Sequence, residues 1–201
     1  SAREAIRVVR SVAEGLKYAA ERGLVHRDIK PSNILRAEAT GEIKITDLGL
    51  ARQPGLEDER VTREGTTVGT VDYMSPEQAR DSRAANSQSD QYSLGCTFYY
   101  LLTGLPPYPG GDVLDKLTRH VKFAPPDVRA LRPDLPPELS RIIMKMMAKQ
   151  SEARYATFDE LISALDEVSG EIDGDGPGFA LQPIGDETDQ TTSPALIPRV
   201  S

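Results

Sequence analysis

Three segments of this 201-residue chain carry apolar residues three and four positions apart, which is the spacing that lines one face of an α-helix. The first segment spans about residues 3–22, with Gly23 as its expected end. The second begins at Leu139, and the third covers Phe158–Val168. A fourth stretch, Gln88–Leu102, is apolar on nearly every side, which predicts a buried helix. Together these patterns predict a largely helical domain.

Strand signals are few and short. The stretches Asn33–Arg36 and Glu42–Thr46 flank a turn that contains Thr40 and Gly41, which predicts a small hairpin. No internal repeat is evident. The predicted fold class is therefore mainly α with minor β (α+β).

Charge and composition change near residue 170. The whole chain has 24 basic and 31 acidic side chains, a formal net charge of −7. Residues 170–201 contain six acids, one base, five Gly and four Pro without a sustained apolar period, so this segment carries −5 and the rest only −2. We expect residues 1–169 to form the globular domain and residues 170–201 to form an acidic, disordered tail or linker.

Composition also excludes several classes of protein. Cys96 is the only cysteine, which rules out an intramolecular disulfide and a cysteine-cluster zinc site. The acidic balance argues against nucleic-acid binding, which needs a basic face. The sequence has no signal peptide and no apolar run near the roughly 20 residues of a membrane helix, so we expect a cytoplasmic chain whose parent protein has room for an anchor elsewhere. Ser1 is not a methionine, and a start of translation upstream is expected.

The run HRDIKPSN, residues 26–33, lies between the first predicted helix and the hairpin. It offers a carboxylate at Asp28, an ammonium group at Lys30 and an amide oxygen at Asn33. Phosphoryl transfer needs such a set: a group that orients the nucleophile, a cation for the phosphate and an oxygen for a metal ion. A DLG run begins at Asp47, after the second hairpin strand. Alone it is a common turn, but at this distance from the loop it strengthens the prediction.

In their order along the chain, these motifs resemble those of the protein kinase family, specifically the carboxyl-terminal lobe of serine/threonine kinases. HRDIKPSN is similar to the catalytic loop of that family, and DLG stands where most members have DFG. GTVDYMSPEQA, residues 69–79, resembles the end of the activation segment, and DQYSLGC, residues 90–96, resembles the start of the central helix. The resemblance covers about residues 1–169 and favours a bacterial member. It implies a protein-kinase-like fold of which only the carboxyl-terminal lobe is represented.

The resemblance implies ATP-dependent transfer of the γ-phosphate to Ser or Thr hydroxyls of a protein substrate, within protein phosphorylation and signal transduction. Asp28 would accept or orient the hydroxyl proton, and Lys30 would contact the γ-phosphate. Asn33 and Asp47 would hold Mg²⁺ against the ATP phosphates and, with Lys30, bind ATP. Thr70 would bond to Asp28 or Lys30 and so select a hydroxyl substrate.

Other matches imply structural roles. His26 would pack beneath the loop rather than bind a metal, and Asp90 would brace the loop backbone from the central helix. Glu77 and Arg154 match the buried ion pair that ties the activation segment to the helical base of the lobe.

Arg27 adjoins the catalytic aspartate, an arrangement that in this family accompanies activation by phosphorylation, because the cation needs a counter-anion. Glu64 stands six residues before Thr70, where related bacterial kinases often carry a phosphorylated threonine. We favour a lost site there over a carboxylate that mimics the phosphate. The candidate phosphorylation sites in the activation loop are Thr62, Thr66 and Thr67.

The 201 residues contain nothing that resembles the amino-terminal kinase lobe, with its glycine-rich loop, strand lysine and helix glutamate. One wall of the nucleotide cleft is therefore expected to be absent from this chain. We expect the chain alone to have no useful kinase activity, because transfer depends on holding the γ-phosphate in line. The face that would meet the other lobe is expected to be exposed and apolar.

Three interpretations of function remain open at this point. The first is a fragment of a serine/threonine protein kinase, favoured because the catalytic-type residues occur together. The second is a non-catalytic, kinase-like binding module that a partner completes by supplying the missing lobe. The third is a phosphotransferase acting on a small molecule, against which the peptide-binding residues between Asp47 and Glu77 argue.

Overall fold

Helix α1, Ala2–Ala20, begins the part of the chain that this computed structural model describes, which is residues 1–37, 39–47, 68–170, 172 and 182–184. The Ser1 hydroxyl accepts a hydrogen bond from the Glu4 N–H and so caps the helix. Gly23 follows with a left-handed φ of 68°, which turns the chain toward the next loop. The buried face consists of Ala5, Ile6, Val8, Val9, Val12, Ala13 and Leu16.

A three-stranded sheet carries the chain beyond the loop that follows α1. After a short 3-10 turn at Pro31–Asn33, strand β1, Ile34–Ala37, pairs antiparallel with strand β2, Ile43–Ile45. Strand β3, Gln182–Ile184, pairs in parallel with the other edge of β1, so the strand order is β2-β1-β3. The predicted hairpin is present, whereas the third strand was not predicted.

Two short helices precede the central helix. They are α2, Val68–Val71, and α3, Pro76–Arg80. The Ser75 side chain accepts from the Gln78 N–H, and the Gln78 side chain accepts in return from the Ser75 N–H. This reciprocal cap fixes where α3 begins.

Helix α4, Ser87–Thr103, is the buried helix that the apolar stretch predicted, and all residues from 89 to 99 are buried. Gly95 is required by close packing, because a Cβ there would lie 2.9 Å from the side chains of Met146 and Met147. The helix ends at Gly104, which takes a φ of 75°.

Helix α5, Val113–Lys122, was not predicted from the sequence. Its two buried side chains are Lys116 and His120, one helical turn apart, while its apolar Leu114 is exposed. The buried face of α5 is therefore polar, and an apolar period does not reveal it.

Helices α6, Pro137–Met146, and α7, Phe158–Ser169, match the two remaining predicted segments. Helix α1 packs against α4 and α7, and α6 packs against α4 on another side. The mainly helical fold with minor β is thereby confirmed. Within the part of the chain described, no helix is both long enough and apolar enough to cross a membrane.

Two short parts of the segment expected to be a disordered tail are described by the structure. Ile172 is buried in the core, and β3 pairs with β1. The composition did not predict either one, since a three-residue strand is stabilised by its neighbour and not by its own sequence. The rest of residues 171–201 lies outside the described residues, so the boundary at residue 169 stays a prediction.

Candidate active site

Two helices hold the backbone of the loop of residues 26–33. Asp90 on α4 accepts hydrogen bonds from the N–H groups of His26 and Arg27, each 2.7 Å long. Gln78 on α3 donates from Nε2 to the Arg27 carbonyl oxygen at 2.9 Å. Arg27 has a left-handed φ of 70°, a conformation that costs a non-glycine residue about 1–3 kcal/mol. The bonds from α3 and α4 hold the loop in this strained form.

The Asp90 carboxyl group is buried in contact with the loop backbone. Burial raises the pKa of Asp90 to about 7, and the two backbone N–H donors oppose that rise because they favour the carboxylate. Both of its oxygens are engaged by consecutive amides, so Asp90 braces the loop and is not available to a substrate.

His26 joins the loop to the end of β2. Its Nε2 lies 3.0 Å from the Thr46 carbonyl oxygen, so this nitrogen carries the proton and donates. Burial lowers the pKa of His26, which keeps the ring neutral and leaves Nδ1 to accept from the Asp28 N–H at 3.4 Å. The ring packs beneath the loop and fixes the spacing between Asp28 and Thr46.

The polar side chains of the loop form one hydrogen-bonded cluster. Lys30 Nζ lies 2.8 Å from Asp28 Oδ2, and both side chains are largely shielded, with 20% and 11% exposed. Asn33 Nδ2 donates to the same carboxylate oxygen at 3.0 Å and to the Asp28 carbonyl at 2.8 Å. Lys30 Nζ also donates to Thr70 Oγ1 at 2.9 Å. Of the two partners expected for Thr70, the structure places Lys30 against it.

Asp47 is linked to this cluster by Thr46, the residue before it. The Thr46 N–H donates to the Asn33 carbonyl oxygen at 2.9 Å, and the Thr46 hydroxyl approaches the same oxygen at 3.3 Å. Asp47 itself takes a left-handed φ of 62° and is exposed, with no hydrogen-bond or ionic partner in the described part of the chain. Asp47 is therefore a second strained residue at the site, besides Arg27.

The remaining oxygen atoms fit a hard cation that arrives with its own ligands. Both Asn33 amide hydrogens are directed to Asp28, so Oδ1 is left with only a long 3.5 Å contact from the Ser32 hydroxyl. Together with the Asp47 carboxylate this leaves two protein oxygen ligands, too few for the six that Mg²⁺ prefers. Among the described residues there is no cluster of three His, Cys, Asp or Glu side chains that would hold a metal unaided. The donor set fits Mg²⁺ bound to a nucleotide.

A buried ion pair anchors α3 to the base of the helical domain. Arg154 Nη1 and Nη2 lie 2.7 and 2.9 Å from the two Glu77 carboxylate oxygens, and the Arg154 side chain is fully buried. The Ser89 hydroxyl donates to Glu77 as well, at 2.7 Å. Burial favours a higher pKa for Glu77, but the Arg154 hydrogen bonds and charge outweigh it, so the pKa lies below its ordinary value.

Three residues that support the site were not singled out in the sequence. Gln78 bonds to the loop, Thr46 connects Asn33 to Asp47, and Lys116 Nζ on α5 pairs with the shielded Asp72 carboxylate at 2.6 Å. Gln78 lies within the GTVDYMSPEQA run and Thr46 directly precedes the DLG run, whereas nothing in the sequence indicated Lys116. Their roles depend on contacts between distant segments.

The activation-loop candidates Thr62, Thr66 and Thr67 and the acidic Glu64 lie outside the described residues. One observation bears on them indirectly. The Arg27 Nε is buried and has no hydrogen-bond partner within the part of the chain described.

The exposed apolar face expected toward an amino-terminal lobe stays a prediction. On the hairpin, Leu35, Ile43 and Ile45 are half-buried. The most exposed large apolar side chains near α5 are Leu114 and Phe123, at 72% and 57%.

Comparison with known proteins gives one matching family model, described as protein kinase domain, over residues 1–164. The chain is 36% identical over 159 residues to the serine/threonine-protein kinase PknB of Mycobacterium tuberculosis, covering 79% of this chain and 25% of that protein. It is 34% identical over 160 residues to a probable serine/threonine-protein kinase PknB of Lactococcus lactis, covering 80% and 25%.

A probable serine/threonine-protein kinase of Streptomyces coelicolor is 35% identical over 150 residues, covering 75% of this chain and 22% of that protein. The chain thus spans about a quarter of the length of the curated relatives that it matches.

Proposed function

The chain belongs to the protein kinase family, in its bacterial serine/threonine type, and from this premise we propose that it carries the phosphoryl-transfer half of an ATP-dependent serine/threonine protein kinase. The observation that carries the proposal is the cluster of Asp28, Lys30 and Asn33, joined by hydrogen bonds of 2.8–3.0 Å. These side chains supply a proton acceptor, a cation and a metal-ligating oxygen within one loop.

Asp28 is the proposed acceptor of the substrate hydroxyl proton. Its Oδ2 is engaged by Lys30 and Asn33, which hold the carboxylate in one orientation. The other oxygen is left to meet an incoming hydroxyl.

Lys30 is proposed to stabilise the charge of the transferring phosphoryl group. Its ammonium group bridges Asp28 and Thr70 and is only 20% exposed, so its charge acts with little screening by water. Thr70 lies between Asp47 and Glu77, where the resemblance implies the peptide-binding residues, and its hydroxyl accepts from Lys30. We therefore propose that binding of a hydroxyl substrate is coupled to the position of Lys30.

Asn33 and Asp47 are proposed to hold Mg²⁺ with ATP, through Asn33 Oδ1 and the Asp47 carboxylate. When bound, the metal ion neutralises negative charge on the nucleotide phosphates. The chain itself leaves the two oxygen ligands available to the metal ion. The Asn33 amide group donates its hydrogens to Asp28, which leaves Oδ1 for the metal, and the Asp47 carboxylate is exposed.

The test is phosphotransfer from radiolabelled Mg-ATP to a Ser/Thr-rich protein such as casein, by the native protein that carries this chain. Asp28→Asn should reduce the rate at least about a thousandfold, because the proton acceptor is lost. Asp166→Asn, an identical change at an exposed carboxylate, should leave the rate unaltered. Full activity in Asp28→Asn would contradict the proposal.

We further propose that the 201 residues by themselves do not turn over ATP, because they hold no glycine-rich loop and no strand lysine for the phosphates. That same feature favours the second candidate, a kinase-like binding module completed by a partner. Calorimetric titration of the native protein with Mg-ATP separates the two, since only the kinase should bind the nucleotide and lose that binding on Asp47→Asn.

We propose that Arg27 receives a phosphothreonine at Thr62, Thr66 or Thr67. The buried Arg27 Nε without a partner supports this, because a phosphate oxygen would satisfy the donor. Phosphopeptide mapping of the active native protein tests the proposal, which fails if none of the three threonines is modified.

A further inference from the structure

The three-stranded sheet carries both of the oxygen ligands proposed for the metal. Strand β1 begins at Ile34, directly after Asn33, and β2 ends at Ile45, two residues before Asp47. Any element that fixes the position of β1 against β2 therefore fixes the two ligands relative to each other. Strand β3 lies on the free edge of β1.

The direction of the backbone groups in β1 follows from its pairing with β2. The Ala37 N–H donates to the Glu42 carbonyl, and the Thr46 N–H donates to the Asn33 carbonyl. Peptide groups alternate in direction along a strand, so the odd-numbered residues of β1 face β2. The N–H and C=O groups of Arg36 therefore face β3.

The proline in β3 stands where a missing N–H is harmless. Pro183 is directly opposite Arg36 in the parallel register. Because the backbone groups of Arg36 bond to β3, the backbone nitrogen of the residue opposite it, Pro183, points away from β1. The groups that meet Arg36 come from Gln182 and Ile184. Pro183 instead interrupts the outer edge of the sheet, where it discourages pairing with a further strand.

The chain after α7 is held at a second point as well. Ile172 is buried in the core, and the Arg3 guanidinium on α1 donates to the Ile172 carbonyl oxygen. Both described parts of the chain beyond α7, Ile172 and β3, thus contact the domain.

We propose that residues 182–184 are a docking strand that clamps the hairpin and thereby positions Asn33 and Asp47. The occupant of the β1 edge is this chain's own segment, bound through backbone hydrogen bonds at Arg36. The positioning of the sheet rests on the observed pairing, and its benefit to Mg-ATP rests on the proposed kinase function.

The experiment is amide hydrogen exchange, followed by NMR on the ¹⁵N-labelled 201-residue chain. Gln182→Pro removes the Gln182 N–H, which faces the Ile34 carbonyl oxygen of β1, and so weakens the ladder beside Arg36. Truncation after Gly178 removes the strand, and Pro183→Ala is the matched control because its N–H faces away from β1. We expect the Arg36 amide to exchange at least about tenfold faster in the first two variants and within about twofold of the parent in the control.

Two further amides report on positioning and on folding. The Thr46 amide, which bonds to Asn33, should exchange at least about threefold faster when the strand is removed, while the Phe98 amide in α4 should not change. Unchanged exchange at Arg36 in Gln182→Pro and in the truncated chain would overturn docking. If exchange becomes faster at Arg36 but is unchanged at Thr46, the proposal that the strand positions Asn33 and Asp47 would be overturned. None of these readouts uses ATP, so they stay distinct from failure of the kinase proposal.

Discussion

Glu77 and Arg154, 77 positions apart in the sequence, meet through two hydrogen bonds of 2.7 and 2.9 Å. The pair joins α3, which also braces the loop of residues 26–33 through Gln78, to the turn before α7. A buried guanidinium is tolerated there because every direction it offers has an acceptor: Glu77 and the carbonyl oxygens of Gln88 and Ala148. The loop is thereby linked to the base of the domain.

Removal of one partner of this pair should be costly. Glu77→Ala leaves the fully buried Arg154 without its counter-charge, and we expect the free energy of unfolding to fall by about 3–5 kcal/mol. Asp166→Ala removes one of the two carboxylate partners of Arg10, from a pair whose side chains are 36% and 51% exposed, and should cost about 0–1 kcal/mol. Urea unfolding of both variants measures the contrast, and equal losses would show that burial of the pair is not what matters.

Thr70 offers a test of the contact with Lys30. In the native protein, Thr70→Val removes the hydroxyl that accepts from Lys30 at 2.9 Å, so we expect kcat/KM for a Ser/Thr protein substrate to fall about 10–100-fold. Thr70→Ser keeps the hydroxyl and should stay within about threefold of the parent. Steady-state kinetics on both variants decides, and a Thr70→Ser enzyme as slow as Thr70→Val would contradict the hydroxyl's role.

His120 should make stability depend on pH. Burial, with the nearby Lys149 cation, lowers its pKa from 6.5 to about 3, and Tyr92, Tyr108 and Lys116 also face the ring. Below pH 6.5 the unfolded chain binds a proton there that the folded chain does not. The free energy of unfolding therefore decreases as pH falls below 6.5, by up to about 1.4 kcal/mol per pH unit.

The measurement is urea unfolding of the parent and His120→Gln between pH 6.5 and 5. Comparing slopes isolates His120 from Asp90 and His26, which titrate in both chains. The slope should be smaller in the variant, and identical slopes would mean that His120 protonates in the folded protein.

Cys96 should be inert in the folded protein. Burial raises the pKa of its thiol to about 12, and the side chain is fully buried. Reaction with a thiol reagent such as Ellman's reagent at pH 8 should be at least about a hundredfold slower in native buffer than in urea, because both access and thiolate are suppressed. Equal rates in the two solutions would refute the burial.

Helices whose buried surface is apolar could be found from the sequence. The segments at α1, α6 and α7 were predicted from an apolar stripe, and the segment at α4 was predicted from a stretch that is apolar on nearly every side, because both patterns are local features of sequence. Helix α5 was not found, since it buries Lys116 and His120, and only neighbouring segments make burial of those side chains favourable.

The candidate site likewise has a part that the sequence predicted and a part that it left open. Asp28, Lys30 and Asn33 lie within six consecutive residues, so the motif already implied that they share a loop. The partner of Thr70, 40 residues beyond Lys30, was left between two possibilities until the tertiary structure placed the Lys30 ammonium against it.

By itself the sequence determined which segments with an apolar buried face become helices and which loop carries the chemistry, because periodicity and motifs act over a few residues. Only the tertiary structure decided what holds that loop. The braces from Asp90 and Gln78, the ion pair of Glu77 with Arg154 and the strand at 182–184 all join groups far apart along the chain. Such contacts form when packing brings distant segments within hydrogen-bond range, and no local pattern encodes that distance.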